Sequence, residues 1–192
     1  IPIGNRKTSN EFFAEIGNAL LKRERIQILF YSKNSDETTE REISPQRLIH
    51  YRENWYLDAY CHMRKSLRSF ALDGIKQVTL LSDKCVEVTE KEMSEYFSGS
   101  YGIFSGKADK TAKLKFSEKA ARWVSSESWH PQQRGTAQKD GSYILEFEYG
   151  QDPELVMDIL KYGADVEVIE PAELRNKVAN EHKLAANKYM SK

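Results

Sequence analysis

Two arginines four residues apart, Arg64 and Arg68, follow directly on a row of rings formed by Tyr56, Tyr60 and His62. Guanidinium forks take phosphate oxygens two at a time. Tyrosine rings offer faces on which bases stack, a contact worth about 1–3 kcal/mol per base in single-strand binders. His50 and His62 have basic neighbours and can add a phosphate contact when protonated. Tyr31, at the end of an earlier strand-like segment, should border the same face. These residue types suit a polyanion with flat rings, meaning a nucleotide or single-stranded nucleic acid. A plainer reading stands beside this one. The arginines could pair with Asp58, Asp73 or Glu53, the tyrosines could cover a surface while donating to carbonyls, and the histidines could be neutral strand residues. Trp55 reads as core or rim packing.

The element that positions these groups is written in the alternation from Trp55 to Arg64. Trp55, Leu57, Ala59, Cys61 and Met63 are apolar, whereas Tyr56, Asp58, Tyr60, His62 and Arg64 are aromatic or polar. Side chains alternate faces along a strand, so one face enters a core and the other carries rings and donors. Arg64 lies on the polar parity of this strand, with Arg68 just beyond it.

Composition narrows the function classes. The 192 residues carry a formal net charge of +0, which argues against coating duplex DNA by bulk electrostatics. Basic residues nonetheless cluster locally in the first half, at Arg41, Arg47, His50, Arg52, His62, Arg64, Lys65 and Arg68. No window approaches the roughly 18 apolar residues of a membrane span, and the start has no signal-peptide pattern. Cys61 and Cys85 read as buried free thiols, which fits a reducing cytoplasm, and no Cys/His spacing resembles a zinc site. There is no Gly-rich phosphate loop, HExxH or GxSxG, so neither catalysis nor a metal or cofactor is expected. The acids at 87, 90, 92 and 95 read as a solvated, partly helical face.

The predicted organisation is α+β in two parts. Residues 1–8 read as a linker, and Ser9 or Asn10 can cap a helix carrying Phe12, Phe13, Ile16, Ala19 and Leu20 on one face. Strands follow at Arg25–Ser32 and Arg41–Ile43, the second stopped by Pro45, with Lys33–Thr39 as loop or turn. Gln46–Tyr51 and Asn54–Met63 pair as a hairpin across Arg52 and Glu53. Further strands are expected at Arg68–Leu72, Ile75–Leu81 and, less clearly, Cys85–Val88. A helix and about five closely spaced strands close most economically into a small barrel, which gives a first domain over 9–92. Residues 93–110 read as a joint, with Gly99, Gly102 and Gly106 among serines and aromatics.

Over 111–192 the order is strand, helix, hairpin, helix, strand, helix. The marks are Thr111–Phe116, the capped helix Ser117–Ser125, the turn at Asp140-Gly141, Pro153 opening a helix to Tyr162, and the strand Asp165–Ile169. Pro171 starts a last helix to about Tyr189. This is the ferredoxin-like βαββαβ arrangement with a terminal helix.

Ile43-Ser44-Pro45, Leu48, Trp55-Tyr56-Leu57, Ala59-Tyr60, Arg64, Arg68, Phe70, Leu72-Asp73 and Ile75 together resemble the WYL domain of bacterial regulators. Trp129-His130-Pro131-Gln132, Asp140-Gly141 and the run Leu160–Arg175 resemble the extension that follows it. The resemblance covers almost the whole chain. It implies an Sm-like, SH3-type barrel preceding the ferredoxin-like domain, in a homodimeric cytoplasmic transcription factor that senses a nucleic-acid or nucleotide effector, single-stranded DNA among them. It also implies a duplex-DNA-binding domain at the N-terminus. The chain starts at Ile1 rather than Met and is expected to be a fragment without that domain. Family members often act in the DNA-damage response or in phage-defence and CRISPR loci, which leaves open an accessory nucleic-acid-binding protein that modulates a nuclease or effector complex. One departure stands out: the family's usual Asp-Arg-Ile is here Asp73-Gly74-Ile75, so a cation expected at the ligand face is replaced by glycine. For the dimer, the terminal helix offers the stripe Leu174, Val178, His182, Ala185, Ala186 and Tyr189, unless that stripe packs on its own sheet. Trp129, Arg134 and Arg175 are further candidates for the interface, and His130 reads as structural.

Overall fold

The structure, a computed structural model, describes residues 11–97, 101–102 and 108–190. The chain is mixed α and β and divides into two compact units between Glu95 and Tyr96. Residues 1–8, the expected caps Ser9 and Asn10, and Gly99 and Gly106 lie outside the described residues.

In the first unit, α1 (Phe13–Lys22) precedes β1 (Glu24–Ser32), β2 (Glu37–Tyr51), β3 (Asn54–Cys61) and β4 (Ser66–Ala71). A 3₁₀ turn at Leu72–Gly74 leads into β5 (Ile75–Lys84). The sheet order is β4-β3-β2-β1-β5, antiparallel throughout. Apolar residues at helical spacing send Ile16 and Ala19 of α1 into a core with Ile26, Ile28, Ile43, Leu57, Ala59 and Phe70. The helix stops at Arg23, whose left-handed backbone (φ 56°) turns the chain straight into β1.

Pro45 does not stop a strand. β2 runs unbroken for 15 residues, and Pro45 sits at a bulge: Pro45 pairs with Ala59 and Arg47 with Asp58, leaving Gln46 as the extra residue. A bulge already interrupts the ladder, so the amide that proline lacks is not required there. The turn before β2 is correspondingly shorter than expected, since β2 begins at Glu37. Cys85–Val88 is not a strand either. Side chains hold that segment instead: the Val86 amide donates to Ser44 Oγ (3.0 Å), and Gln46 Nε2 donates to the Val86 carbonyl (2.9 Å). α2 (Glu90–Phe97) then starts on a reciprocal Thr89–Glu92 cap and carries helix into the expected joint.

The second unit contains β6 (Lys110–Phe116), α3 (Glu118–Val124), β7 (Arg134–Ala137), β8 (Tyr143–Tyr149) and α4 (Pro153–Leu160). β9 (Val166–Glu170) and α5 (Ala172–Met190) complete it. Its sheet is antiparallel in the order β7-β8-β6-β9. Local chemistry sets the boundaries. Ser117 Oγ accepts the Ala120 amide at the start of α3 (3.2 Å), and Gly141 takes φ 79° in the β7–β8 turn. Only the first part of the α5 stripe is covered: Leu174 and Val178 are buried in this unit's core, while Ala185, Ala186 and Tyr189 are exposed.

Candidate anion-binding site

Strand register decides which side chains share a face. On β3, Leu57, Ala59 and Cys61 face the core. β4 pairs Leu57 with Phe70 and Ala59 with Arg68, so Arg68 lies on the core face. On β2, Ile43 pairs with Cys61, and Arg41, Thr39 and Glu37 follow it outward on the same face at intervals of two. β1 sets Phe30 beside Thr39 and Ser32 beside Glu37. Beyond the packed core these residues line a cavity of about 540 Å³, joined by Ser35 from the β1–β2 turn and Arg64 from the β3–β4 turn.

The cavity is cationic. Arg41, Arg64 and Arg68 line it, and among the described residues none of the three has an ion-pair partner. Arg41 is steadied by neutral contacts, with Nε donating to Thr39 Oγ1 (3.1 Å) and Nη1 donating to Met63 Sδ. Glu37 is the one acid in the lining. Phe30 and Phe70 meet edge to face in the wall, with centroids 5.2 Å apart. Gly74 makes this wall possible: a Cβ there would lie 2.8 Å from Phe30 Cε2 and 2.8 Å from the Tyr31 carbonyl oxygen.

The opposite face of the sheet holds Tyr56, Asp58 and Tyr60. Asp58 is fully buried, and its carboxylate accepts from Arg47 Nε (2.8 Å) and Ser69 Oγ. Burial pushes the Asp58 carboxyl above its usual range, against the opposing pull of Ser69 and Arg47. Tyr56 stands edge-on to Tyr51, and Tyr60 edge-on to His62 at 5.4 Å. His62 Nε2 lies 2.9 Å from Ser44 Oγ. Burial, with help from Arg25, lowers its pKa and favours the neutral ring, which is poorly suited to phosphate. Tyr31 also points away from the cavity; its hydroxyl donates to Asp36 (2.7 Å), and Lys76 lies over its ring. His50 is exposed, with its ring 5.2 Å from that of Trp55.

The structure therefore brings Arg64 and Arg68 together, and it places Tyr31, Tyr56, Tyr60, His62 and His50 outside their cavity. Arg41, Thr39, Glu37 and Phe30 are among the lining residues that alternation along β3 alone does not reach. Their signal was the two-residue spacing Glu37, Thr39, Arg41, Ile43, which becomes visible once β2 is seen to begin at Glu37 rather than after a loop to Thr39.

In the second unit, a cavity of about 360 Å³ is lined by Arg134 together with Glu146 and Glu148, so it has no cationic excess. Trp129 packs on that unit's core, His130 is buried against Phe147, and Arg175 donates to the Val168 carbonyl. Among the described residues, no group of three or more His, Cys, Asp or Glu could hold a metal, and no helix is long and apolar enough to cross a membrane.

Comparison with known proteins places this geometry. The WYL domain matches residues 11–80 and the WCX domain residues 108–186. The DNA-binding transcriptional repressor CapW of Pseudomonas aeruginosa is 33% identical over 76 residues, covering 40% of this chain and 25% of the relative. The uncharacterized HTH-type transcriptional regulator YobV of Bacillus subtilis (strain 168) is 25% identical over 154 residues, covering 77% of this chain and 46% of the relative. The chain thus spans between a quarter and about half the length of these relatives. The crystal structure of a CRISPR Cas-related protein shares the fold, with a TM-score of 0.55 at 13% identity over 91% of this chain and 50% of that one. The chain carries a WYL domain over residues 11–80 followed by a WCX domain over residues 108–186.

Proposed function

We propose that this chain is the effector-sensing region of a transcription regulator, and that the effector is a nucleotide or single-stranded nucleic acid held in the cavity of the first unit. One observation carries the reading: three arginines without ion-pair partners among the described residues converge on a single cavity of a WYL domain. Like charges gathered this way repel one another until an anion arrives, and guanidinium is the side chain best matched to phosphate. The relatives' names as regulators and a repressor support a regulatory role without catalysis.

In this reading the first sheet, with α1 before it and a 3₁₀ turn before its last strand, is an Sm-like, SH3-type barrel. The second sheet, in the order β7-β8-β6-β9, is ferredoxin-like. The protein works in the cytoplasm as a homodimer, with the exposed end of α5 contributing to the contact, and reaches duplex DNA through an N-terminal domain. Effector binding alters transcription to the extent that the two dimer states differ in effector affinity.

Fluorescence anisotropy with short single-stranded DNA tests the site. Arg64→Ala with Arg68→Ala should weaken binding at least tenfold. It should also flatten the plot of log K against log salt by about 1.4, from two lost phosphate contacts at about 0.7 each. Unchanged affinity and slope would remove the effector from this cavity.

A further inference from the structure

The cavity is polarised along β2. Arg41, Thr39 and Glu37 share one face at successive two-residue steps. At about 3.3 Å per residue, Glu37 lies about 13 Å along the strand from Arg41. Arg64 and Arg68 gather at the Arg41 end, beside Cys61, while Ser32 and Ser35 flank Glu37 at the hairpin end. The half-buried ring of Phe30 lies between, paired with Thr39. Among the described residues Glu37 has no ion-pair partner, although three arginines line the same cavity. Opposite charges are thus held at opposite ends.

A strand running through this cavity would carry a negative charge on every nucleotide and would bring a phosphate up to the Glu37 carboxylate. Repulsion there opposes passage. One nucleotide laid lengthwise meets no such conflict. Its phosphate takes the arginines, its ring passes over Phe30, and the far edge of its base reaches an acceptor. A carboxylate only accepts hydrogen bonds, so it favours bases that present amino groups. Two successive singly charged phosphodiesters would be needed to match the lining balance of three cations and one anion from a through-running chain, whereas a single terminal phosphomonoester already offers about two negative charges.

We propose that the cavity binds a single nucleotide end-on, phosphate toward Arg41, Arg64 and Arg68 and an amino-bearing base toward Glu37. The proposal rests on the effector reading above and narrows it. The nucleotide comes either free or as the phosphorylated terminus of a strand, and the experiment separates the two.

Binding of four probes to the chain is measured by calorimetry: guanosine monophosphate, uridine monophosphate, a short 5′-phosphorylated single strand beginning with dG, and the same strand closed into a circle. The linear phosphorylated strand should bind at least tenfold more tightly than the circle. Guanosine monophosphate should compete with it and exceed uridine monophosphate by about tenfold. Whichever of the free nucleotide and the strand terminus binds more tightly identifies the source. Glu37→Gln should bring the two mononucleotides near parity and raise affinity for the circle. Because Glu37 is exposed at the start of β2, its loss leaves the core intact, and circular dichroism checks that. Equal binding of circle and linear strand, with Glu37→Gln silent, overturns end-on binding while leaving the effector reading in place. No binding of any probe, with Arg64→Ala plus Arg68→Ala also silent, overturns both.

Discussion

Simple electrostatics says that putting the family's expected arginine at position 74 should strengthen an anion site, because it adds a fourth cation. The structure says the reverse. A Cβ at 74 would sit 2.8 Å from Phe30 Cε2, which is about 0.7 Å inside the optimal separation of two carbons. It would sit equally close to the Tyr31 carbonyl oxygen, which belongs to β1 and cannot withdraw alone because β1 is paired on both sides. Only Phe30 can give way, and Phe30 is packed edge-on against Phe70 in the cavity wall. Overpacking of this kind costs about 1–3 kcal/mol, and in a unit of this size each kcal/mol lowers Tm by about 4–8 °C. Gly74→Ala and Gly74→Arg should therefore both lose stability in urea by about 1–3 kcal/mol. Both should weaken binding of a single-stranded oligonucleotide, despite the charge added by arginine. Gly74→Ala separates the two effects, since it brings the clash without the cation. If Gly74→Arg binds more tightly than the parent chain at unchanged stability, the steric reasoning fails and position 74 is a vacant cation site.

Three further outcomes test other parts of the molecule. Arg47→Ala strands the buried Asp58 carboxylate with Ser69 as its remaining donor. At neutral pH it should cost about 2–3 kcal/mol, the usual loss for a broken buried pair reduced because Arg47 is 41% exposed. Asp58 already has a raised folded-state pKa, so its protonated form is favoured in the fold. Stability tied to such a group is full below the unfolded pKa and is lost as pH rises through the folded one, so the Arg47→Ala deficit should shrink from pH 7 to pH 4 in urea melts. Asp140 behaves oppositely: the Ser142 hydroxyl, then its amide, then Lys115 hold its pKa at about 2, below the ordinary 3.8. The contribution of Asp140 to the β7–β8 turn is present above 3.8 and lost as pH falls through about 2. Amide exchange in that hairpin should accelerate over this window, and Asp140→Asn should abolish the dependence. Ser117→Ala removes both the α3 cap and a 2.9 Å bond to Asp165, and should cost the second unit about 1 kcal/mol in thermal melts.

Much of the second unit was legible because each boundary carries its own chemistry. Ser117 caps a helix, Asp140-Gly141 makes a turn, Pro153 opens a helix, and Pro171 immediately precedes another. These signals act within a few residues and need no knowledge of the rest of the chain. In the first unit, Pro45 misled for the complementary reason. A proline stops an ordinary strand, but at a bulge its missing amide has no ladder bond to lose, and a bulge is defined by the partner strand. The acids at 87, 90, 92 and 95 read as a partly helical face, and α2 covers Glu90–Phe97; what the acids alone do not show is its start, which is set by the reciprocal Thr89–Glu92 cap.

The cavity was harder to read because facing is a property of register, and register is not written along one strand. Pairs between β3 and β4 have residue numbers summing to an odd value, as in Ala59 with Arg68 and Cys61 with Ser66. Even positions on β4 therefore share a face with odd positions on β3, and Arg68 lands beside Ala59 rather than with Tyr60. Pairs between β2 and β3 sum to an even value up to Pro45 and to an odd value from Arg47 onward, because Gln46 is the extra residue. The side of β2 that carries Glu37, Thr39 and Arg41 thus continues into the core through Ile43, and after the bulge it is Leu48 that resumes it opposite Leu57. Each slip by one residue exchanges the two faces completely. Alternation over Trp55–Cys61 separates the core side of β3 from its tyrosine side, but it fails beyond the strand's end: Met63 is exposed in the turn and Arg64 lines the core-side cavity. Nor can it tell which side of the sheet receives the arginines of the neighbouring strands. That depends on the length of the turn between Cys61 and Ser66 and on one unpaired glutamine, and those two features put the cations opposite the tyrosines.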